Sequence, residues 1–123
     1  MTHEDLLVLG RHIDNVWNNT SDTGTSKVVA FLQGSLLTIK YKTIVNIPRG
    51  TDYHTKSVDL KHEGSSVISK KKSELESDYK KECKKSLSLK KVSDDDSFET
   101  MTTSPYSPNR ISKYTLCVVY EVS

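Results

Sequence analysis

The sequence predicts an α+β protein, with a sheet of about four strands, antiparallel or mixed, and two helices packed on one of its faces. Three observations lead to this prediction. Apolar residues recur at helical spacing in two segments, and they alternate with polar residues in two others. Along the chain the segments run helix, one or two strands, helix, and two strands. The length of 123 residues predicts a single domain, 1–123, with one modest core.

Residues Thr2–Trp17 are predicted to form the first helix. Thr2 can cap it, and two acidic residues in the first turn suit the positive end of the helix dipole. Gly10 weakens the helix by roughly 1 kcal/mol relative to Ala if it is exposed. The polar run 18–26 ends the helix. The apolar residues share one face: Leu6, Leu9, Ile13, Val16 and Trp17.

The mostly apolar segment that follows contains the first strand signals. Val28–Leu32 fits either a short strand or a helical turn, and periodicity leaves both open. From Leu37 to Ile47 apolar residues alternate with polar ones, which predicts a half-buried strand with Thr43 as a polar gap on the inner face. Pro48-Arg49-Gly50 ends it. Thr51–Gly64 is polar and is predicted to be an extended connector.

The second helix is predicted within the lysine-rich stretch Ser65–Lys91, which holds nine lysines, half of all Lys and Arg in the chain. Ser65 or Ser66 is expected to cap it. Leu87 and Leu89 then alternate with polar residues and fit a short strand. Intervals of seven, four and four residues place one narrow apolar seam on the helix: Ile68, Leu75, Tyr79 and Cys83.

The last part of the chain is predicted to form a hairpin. Ser93–Asp96 has the composition of a turn, Ser97–Thr103 that of a strand, and Ser104–Asn109 that of a loop. Tyr114–Val122 alternates strictly and is predicted to be the last strand. The two strands are close enough in sequence to pair antiparallel. The inner face of the last strand is predicted to carry Tyr114, Leu116, Val118, Tyr120 and Val122.

No stretch has a catalytic, cofactor-binding or metal-binding signature. Asp94-Asp95-Asp96 lacks the spaced ligands and the glycine of a calcium loop. Cys83 and Cys117 have no partner motif and are expected to be reduced thiols. No apolar run approaches a membrane span. We therefore expect no enzyme, cofactor, metal or membrane contact. Four histidines lack an acidic residue at a recognised spacing: His3, His12, His54 and His62.

The lysines at the end of the second helix are candidates for contact with phosphates. Acidic residues interleave with the lysines of this helix, which favours a salt-bridged solvent face over a nucleic-acid site. Any contact with nucleic acid is expected to involve its backbone only and to be salt-sensitive. The candidate residues are Lys80, Lys81, Lys84 and Lys85.

The loop Ser104–Arg110 is the second candidate interaction element, because it contains Ser-Pro twice. Each proline fixes its own φ and extends the residue before it, which predicts a stiff arm that exposes Tyr106 and Arg110. Tyrosine and arginine are enriched at interface hot spots. We predict a protein interface that includes Tyr106 and Arg110 together with Lys80 and Lys84.

The order of elements resembles that of the tail-terminator and tail-completion proteins of tailed bacteriophages. The acidic segment Ser93–Glu99, the Ser-Pro loop and the tyrosine-bearing last strand are similar to small phage proteins. The resemblance implies a non-enzymatic virion subunit, made in the host cytoplasm, that forms a ring at the head–tail junction or tail end. Its partners would be further copies of itself and other virion proteins. No motif carries functional residues over from the family.

Segregated charges suit a head-to-tail ring contact, with Lys70–Lys91 of one copy against Asp94–Asp96 or Glu74–Glu82 of the next. The alternative function is a small nucleic-acid-binding accessory protein that uses the lysine-rich helix.

Overall fold

The computed structural model describes residues 2–16, 25–101, 106 and 108–123. Within these residues the chain forms two helices and four strands. The strands make one antiparallel sheet in the order β1-β2-β4-β3, and the helices pack on it. The predicted α+β class and the order of elements are confirmed. The elements are α1 (His3–Val16), β1 (Ser26–Gln33), β2 (Leu36–Pro48), α2 (Tyr53–Cys83), β3 (Leu89–Thr100) and β4 (Asn109–Val122).

The core lies between the two helices and one face of the sheet. The strand register places Ile39 opposite Val118 and Tyr41 opposite Leu116, so the predicted inner faces of β2 and β4 lie on the same side of the sheet. Thr43, the polar gap in β2, is buried and shares a 3.0 Å hydrogen bond with the Ser26 hydroxyl. The helices contribute Leu9, Ile13, Leu60, Ile68, Leu75 and Tyr79 to the same core.

The first helix and the first strand match their predictions closely. Thr2 caps α1, because its hydroxyl accepts a 3.1 Å hydrogen bond from the Asp5 amide. Trp17 and the predicted linker up to residue 24 lie outside the described residues. The segment Val28–Leu32, left open between strand and helical turn, belongs to β1.

The predicted connector Thr51–Gly64 is wrong, since α2 already begins at Tyr53. Asp52 is its N-cap, not Ser65 or Ser66: its carboxylate accepts hydrogen bonds from the His54 amide at 3.0 Å and the Thr55 hydroxyl at 2.9 Å. The added turns have few apolar anchors, which is why the segment reads as polar. They still extend the buried seam, because Leu60 and Gly64 precede Ile68 at four-residue spacing.

Gly64 lets α2 approach the sheet closely. A Cβ atom at this position would lie 2.8 Å from Tyr41 Cδ1 and 3.1 Å from Leu116 Cδ2. The glycine therefore acts as a contact surface within the helix, although by propensity alone glycine disfavours a helix interior.

The predicted turn Ser93–Asp96 is also wrong, because these residues lie inside β3. The strand starts at Leu89, where a short strand was expected, and has a bulge between Lys91 and Ser93. Acidic residues are tolerated here because β3 is an edge strand that bonds only to β4 among the described residues. Asp94 forms an ion pair with Lys91, which raises the pKa of Lys91 and lowers that of Asp94.

The last strand begins earlier than predicted, at Asn109 instead of Tyr114. Pairing with the full length of β2 explains the extension, since Asn109 lies opposite Pro48 and the Arg49 amide donates to the Pro108 carbonyl at 3.0 Å. The end of the predicted strand Ser97–Thr103 falls at residues 102 and 103, outside the described residues.

Candidate interaction surfaces

Tyr106 of the predicted Ser-Pro arm is exposed, with 94% of its surface accessible. Residues 102–105 and 107 lie outside the described residues. Tyr106 precedes β4, whose first residue, Asn109, lies opposite Pro48 at the end of β2. Its role in an interface stays a prediction.

Arg110 does not lie on an exposed arm, so this part of the prediction is wrong. It belongs to β4, opposite Ile47, and is half-buried. Its guanidinium carbon lies 5.9 Å from the centre of the Tyr53 ring, in a cation–π arrangement. Arg110 lies in β4 because this strand starts at Asn109, before the alternating apolar residues that begin at Tyr114.

Tyr53 connects Arg110 to a chain of aromatic rings at the start of α2. Its ring meets Phe98 edge-on at 5.4 Å, and Phe98 meets Tyr114 edge-on at 6.0 Å. The Tyr53 hydroxyl lies 3.3 Å from Thr100 Oγ1, and hydrogen bonds with Thr100 and then Arg110 lower the pKa of Tyr53. Arg110 therefore holds the end of the sheet to α2.

The lysines at the end of α2 divide into two groups. Lys80, Lys81, Lys84 and Lys85 are all exposed, but Lys85 forms an ion pair between helices: its Nζ lies 3.0 Å from Asp5 Oδ1 and ties the end of α2 to α1. This hydrogen-bonded ion pair lowers the pKa of Asp5 and raises that of Lys85. Lys84 caps α2 in the left-handed region, with φ of 56°.

Ion pairs within α2 occupy part of its charge. Lys72 lies 3.6 Å from Glu76 at i,i+4 spacing, and Lys71 lies 3.7 Å from Glu74 at i,i+3 spacing. This agrees with the predicted salt-bridged solvent face. It also weakens the expectation that Glu74–Glu82 contacts the lysines of a neighbouring copy, because Glu74 and Glu76 already form ion pairs within α2.

A buried histidine contact holds α1 against α2. His12 Nδ1 lies 2.8 Å from Glu82 Oε2, and His12 Nε2 is buried without a hydrogen-bond partner within the described chain. In the described ranges, no three His, Cys, Asp or Glu side chains form a group that can hold a metal ion. We assign this contact to helix packing.

The two edges of the sheet are unlike each other, and sequence reasoning missed them. On the face away from the helices, the β1–β2 side carries Lys27, Lys40 and Lys42, whereas β3 carries Asp95 and Glu99 after its bulge and Lys90 before it. The alternation of β2 predicts that Lys40 and Lys42 lie on the outer face. Only the strand order shows that β1 and β3 are the edge strands. Exposed apolar side chains share this outer face: Phe31, Leu36, Ile44 and Ile111.

A cleft of about 300 Å³ lies between α1 and the β1 edge. Its apolar part comes from Leu6, Leu7 and Gly10 of α1 and from Leu32 of β1. Leu7 is 52% exposed. The cleft also includes His3, Arg11, Asp14 and Gly34.

No helix within the described ranges is both long enough and apolar enough to span a membrane. Comparison of the chain with protein-family models, curated proteins and solved structures found no match.

Proposed function

We propose that the protein is a non-enzymatic structural subunit of a virion that assembles with itself into a ring, of the tail-terminator or tail-completion type, at the head–tail junction or tail end. One observation carries the proposal: the sheet ends in two exposed and unlike edges, β1 and β3. The resemblance in element order to these phage proteins supports the same reading.

Unlike edges favour a ring over a two-fold dimer. A contact between two different surfaces is heterologous, and repeated contacts of this kind close into a ring when the rotation between copies permits. The β1 edge is mainly apolar, with Val28, Val29 and Phe31. A long apolar edge strand is prone to pair with another strand unless a partner covers it.

The remaining candidate residues lie at opposite ends of the strands. Tyr106 lies three residues before Asn109, which pairs with Pro48 at the end of β2. Lys80 and Lys84 lie at the end of α2, which is at the other end of the sheet. A few residues after α2, the Ser88 amide donates a hydrogen bond to the Ser123 carbonyl there. In a ring built edge to edge, these ends become the two ring faces. We assign Tyr106 to contacts with virion proteins on one face, and Lys80 and Lys84 to contacts on the other.

Native mass spectrometry of the purified chain tests the proposal. We expect one discrete oligomer whose subunit number stays constant as the protein concentration rises, since a closed ring has no free edge. A monomer that also fails to join purified tail or connector proteins contradicts the proposal. A ladder of sizes without an end point indicates an open filament instead.

Nucleic-acid binding is the second candidate function, and the exposure of Lys80, Lys81 and Lys84 at the end of α2 favours it. Fluorescence anisotropy with duplex DNA across a salt series tests it. Each phosphate contact contributes roughly −0.9 to the slope of log K against log salt. Changing the three lysines to Glu is expected to abolish binding. Each single change, Lys80→Glu, Lys81→Glu or Lys84→Glu, should weaken it, whereas Lys70→Glu on the same helix serves as the charge-matched control for the single changes. Absence of binding at low salt excludes this function.

A further inference from the structure

We propose that neighbouring copies in the ring join by β-sheet pairing, with β3 of one copy bound to β1 of the next. This inference rests on the proposed function and names the surface that would build the ring. The occupant of each exposed edge is therefore a second copy of this chain. Four properties of the described residues support it: strand direction, strand length, charge and the cleft beside the β1 edge.

Strand direction permits the contact without turning a copy over. Every strand is antiparallel to its neighbour in the order β1-β2-β4-β3, so β1 and β3 run in opposite directions. A second copy placed beside β3 in the same orientation therefore presents β1 antiparallel to it. The sheet continues across the boundary with antiparallel pairing, and the helices of both copies stay on the same face.

The lengths of the two edges also match. Following the register across the sheet, Ser26 lies in the same row as Phe98, and Phe31 lies in the same row as Ser93. The part of β3 beyond its bulge therefore spans the same height as most of β1. The backbone hydrogen bonds left open along this part of β3 can be satisfied by the next copy.

Charge gives the contact its specificity. Lys27 lies in the same row of the sheet as Ser97, so at equal height it meets Ser97 of the neighbouring copy. Asp95 and Glu99 are then its diagonal neighbours, which long side chains reach across an antiparallel pair. A shift of two residues in either direction puts Lys27 directly opposite one of the two acids. Opposite charges therefore meet in all three registers.

An apolar residue of the same neighbour lies next to the cleft beside β1. Val92, at the bulge of β3, is 55% exposed. The residue before it, Lys91, lies in the same row as Leu32, which lines the cleft between α1 and β1. A copy docked at equal height brings Lys91 opposite Leu32 and Val92 next to it, beside the cleft that Leu6 and Leu7 also line. Burial of these apolar groups adds to the backbone pairing.

The alternative pairings are less favourable. Pairing of β1 with a second β1 gives Lys27 no acidic residue across the boundary, since β1 contains none. Pairing of β3 with a second β3 brings two acidic edges together, including Asp95 and Glu99, and like charges across strands destabilise. Charges on an edge strand usually prevent it from pairing with other strands. Here they disfavour pairing between identical edges and favour pairing of β1 with β3, whose charges are opposite.

Disulfide cross-linking tests the contact directly. In a Cys83→Ser/Cys117→Ser background that retains the wild-type oligomer mass, Lys27→Cys is combined in turn with Ser97→Cys, Asp95→Cys or Glu99→Cys. Residues opposite each other in an antiparallel pair lie within disulfide range. We expect one of the three combinations to give a ladder of linked oligomers on oxidation. Lys27→Cys alone should stay unlinked; a linked dimer from it indicates β1–β1 pairing and overturns the proposal.

Charge exchange provides an independent readout. Lys27→Glu alone and Asp95→Lys/Glu99→Lys alone should each weaken assembly about tenfold, because each change puts like charges on the two paired edges. A mixture of the two chains should recover assembly, because the altered edge of one chain then pairs with the oppositely charged edge of the other. Lys70→Glu, the same charge change away from the edges, should have no effect. Intact rings that ignore both exchanges and give no ladder overturn this contact while leaving the proposed function standing. A chain that is monomeric with and without virion partners overturns both.

Discussion

Replacing Gly64 with alanine tests how closely α2 lies on the sheet. In an open helix position this change adds stability, by about 1 kcal/mol, because alanine is the better helix former. At Gly64 the new Cβ would lie 2.8 Å from Tyr41 Cδ1. Favourable carbon–carbon contacts lie at about 3.5–4.0 Å, so the methyl group enters roughly 0.7 Å too far.

Tyr41 has little room to move away from that methyl group. It is 2% exposed, and its hydroxyl donates a 3.2 Å hydrogen bond to Glu63 Oε1. On the other side the new atom would lie 3.1 Å from Leu116 Cδ2. Overpacking of this kind costs about 1–3 kcal/mol. Because this cost exceeds the gain in helix propensity, we expect Gly64→Ala to lower the free energy of unfolding by about 1 kcal/mol.

Gly10 provides a matched control on the other helix. A Cβ there would lie 3.9 Å from Leu32 Cδ2, which is ordinary contact. Gly10→Ala should therefore gain up to about 1 kcal/mol. The two variants then differ by about 2 kcal/mol, which separates their urea midpoints by roughly 1 M.

The assay is urea unfolding followed by far-UV circular dichroism, at one protein concentration because assembly also stabilises the folded chain. If Gly64→Ala raises the midpoint as much as Gly10→Ala does, the close approach of α2 to Tyr41 is wrong. Gly64→Val extends the series and should unfold at still lower urea, because it adds two more methyl groups at the same contact.

Three further predictions concern single side chains. Asp52→Ala should lower the urea midpoint by roughly 0.5 M through loss of the α2 N-cap, whereas Asp52→Asn should keep most of it; equal losses would contradict the capping role. Lys84→Gly should raise stability by about 1 kcal/mol because Lys84 has a φ of 56°, whereas Lys84→Ala should not; no difference between them argues against the left-handed cap. Burial, and then the 3.1 Å hydrogen bond to Asp96, raise the pKa of Tyr114. A raised folded-state pKa means that stability is complete below the unfolded value near 10 and falls as the pH rises above it. Tyr114→Phe should reduce this loss, measured by urea unfolding between about pH 9 and 11; an unchanged alkaline slope would contradict the assignment.

Local periodicity was sufficient wherever one face of an element is buried along its whole length. Leu37–Ile47 and Tyr114–Val122 alternate, and the structure buries the predicted faces of both. The seam from Ile68 to Tyr79 is buried as its spacing predicts. In each case a single residue property, hydrophobicity at a fixed period, decides both the element and its inner face.

The prediction failed where an element depends on a distant partner. The first turns of α2 are polar, and Gly64 reads as a helix breaker until Tyr41 is placed against it. Ser93–Asp96 reads as a turn because its acidic residues favour turns over strands. Pairing with β4 makes this segment a strand, and its position at the edge keeps most of its charges at the surface.

The candidate interaction site divides in the same way. The sequence by itself determined the exposed lysines at the end of the second helix, the Ser-Pro composition around Tyr106, and the α+β class. Only the tertiary structure decided that Arg110 packs on Tyr53, that Lys85 pairs with Asp5, and that β1 and β3 form the two edges. The physical reason is that periodicity is set by near neighbours, whereas strand order and side-chain partners depend on contacts between residues far apart in the chain.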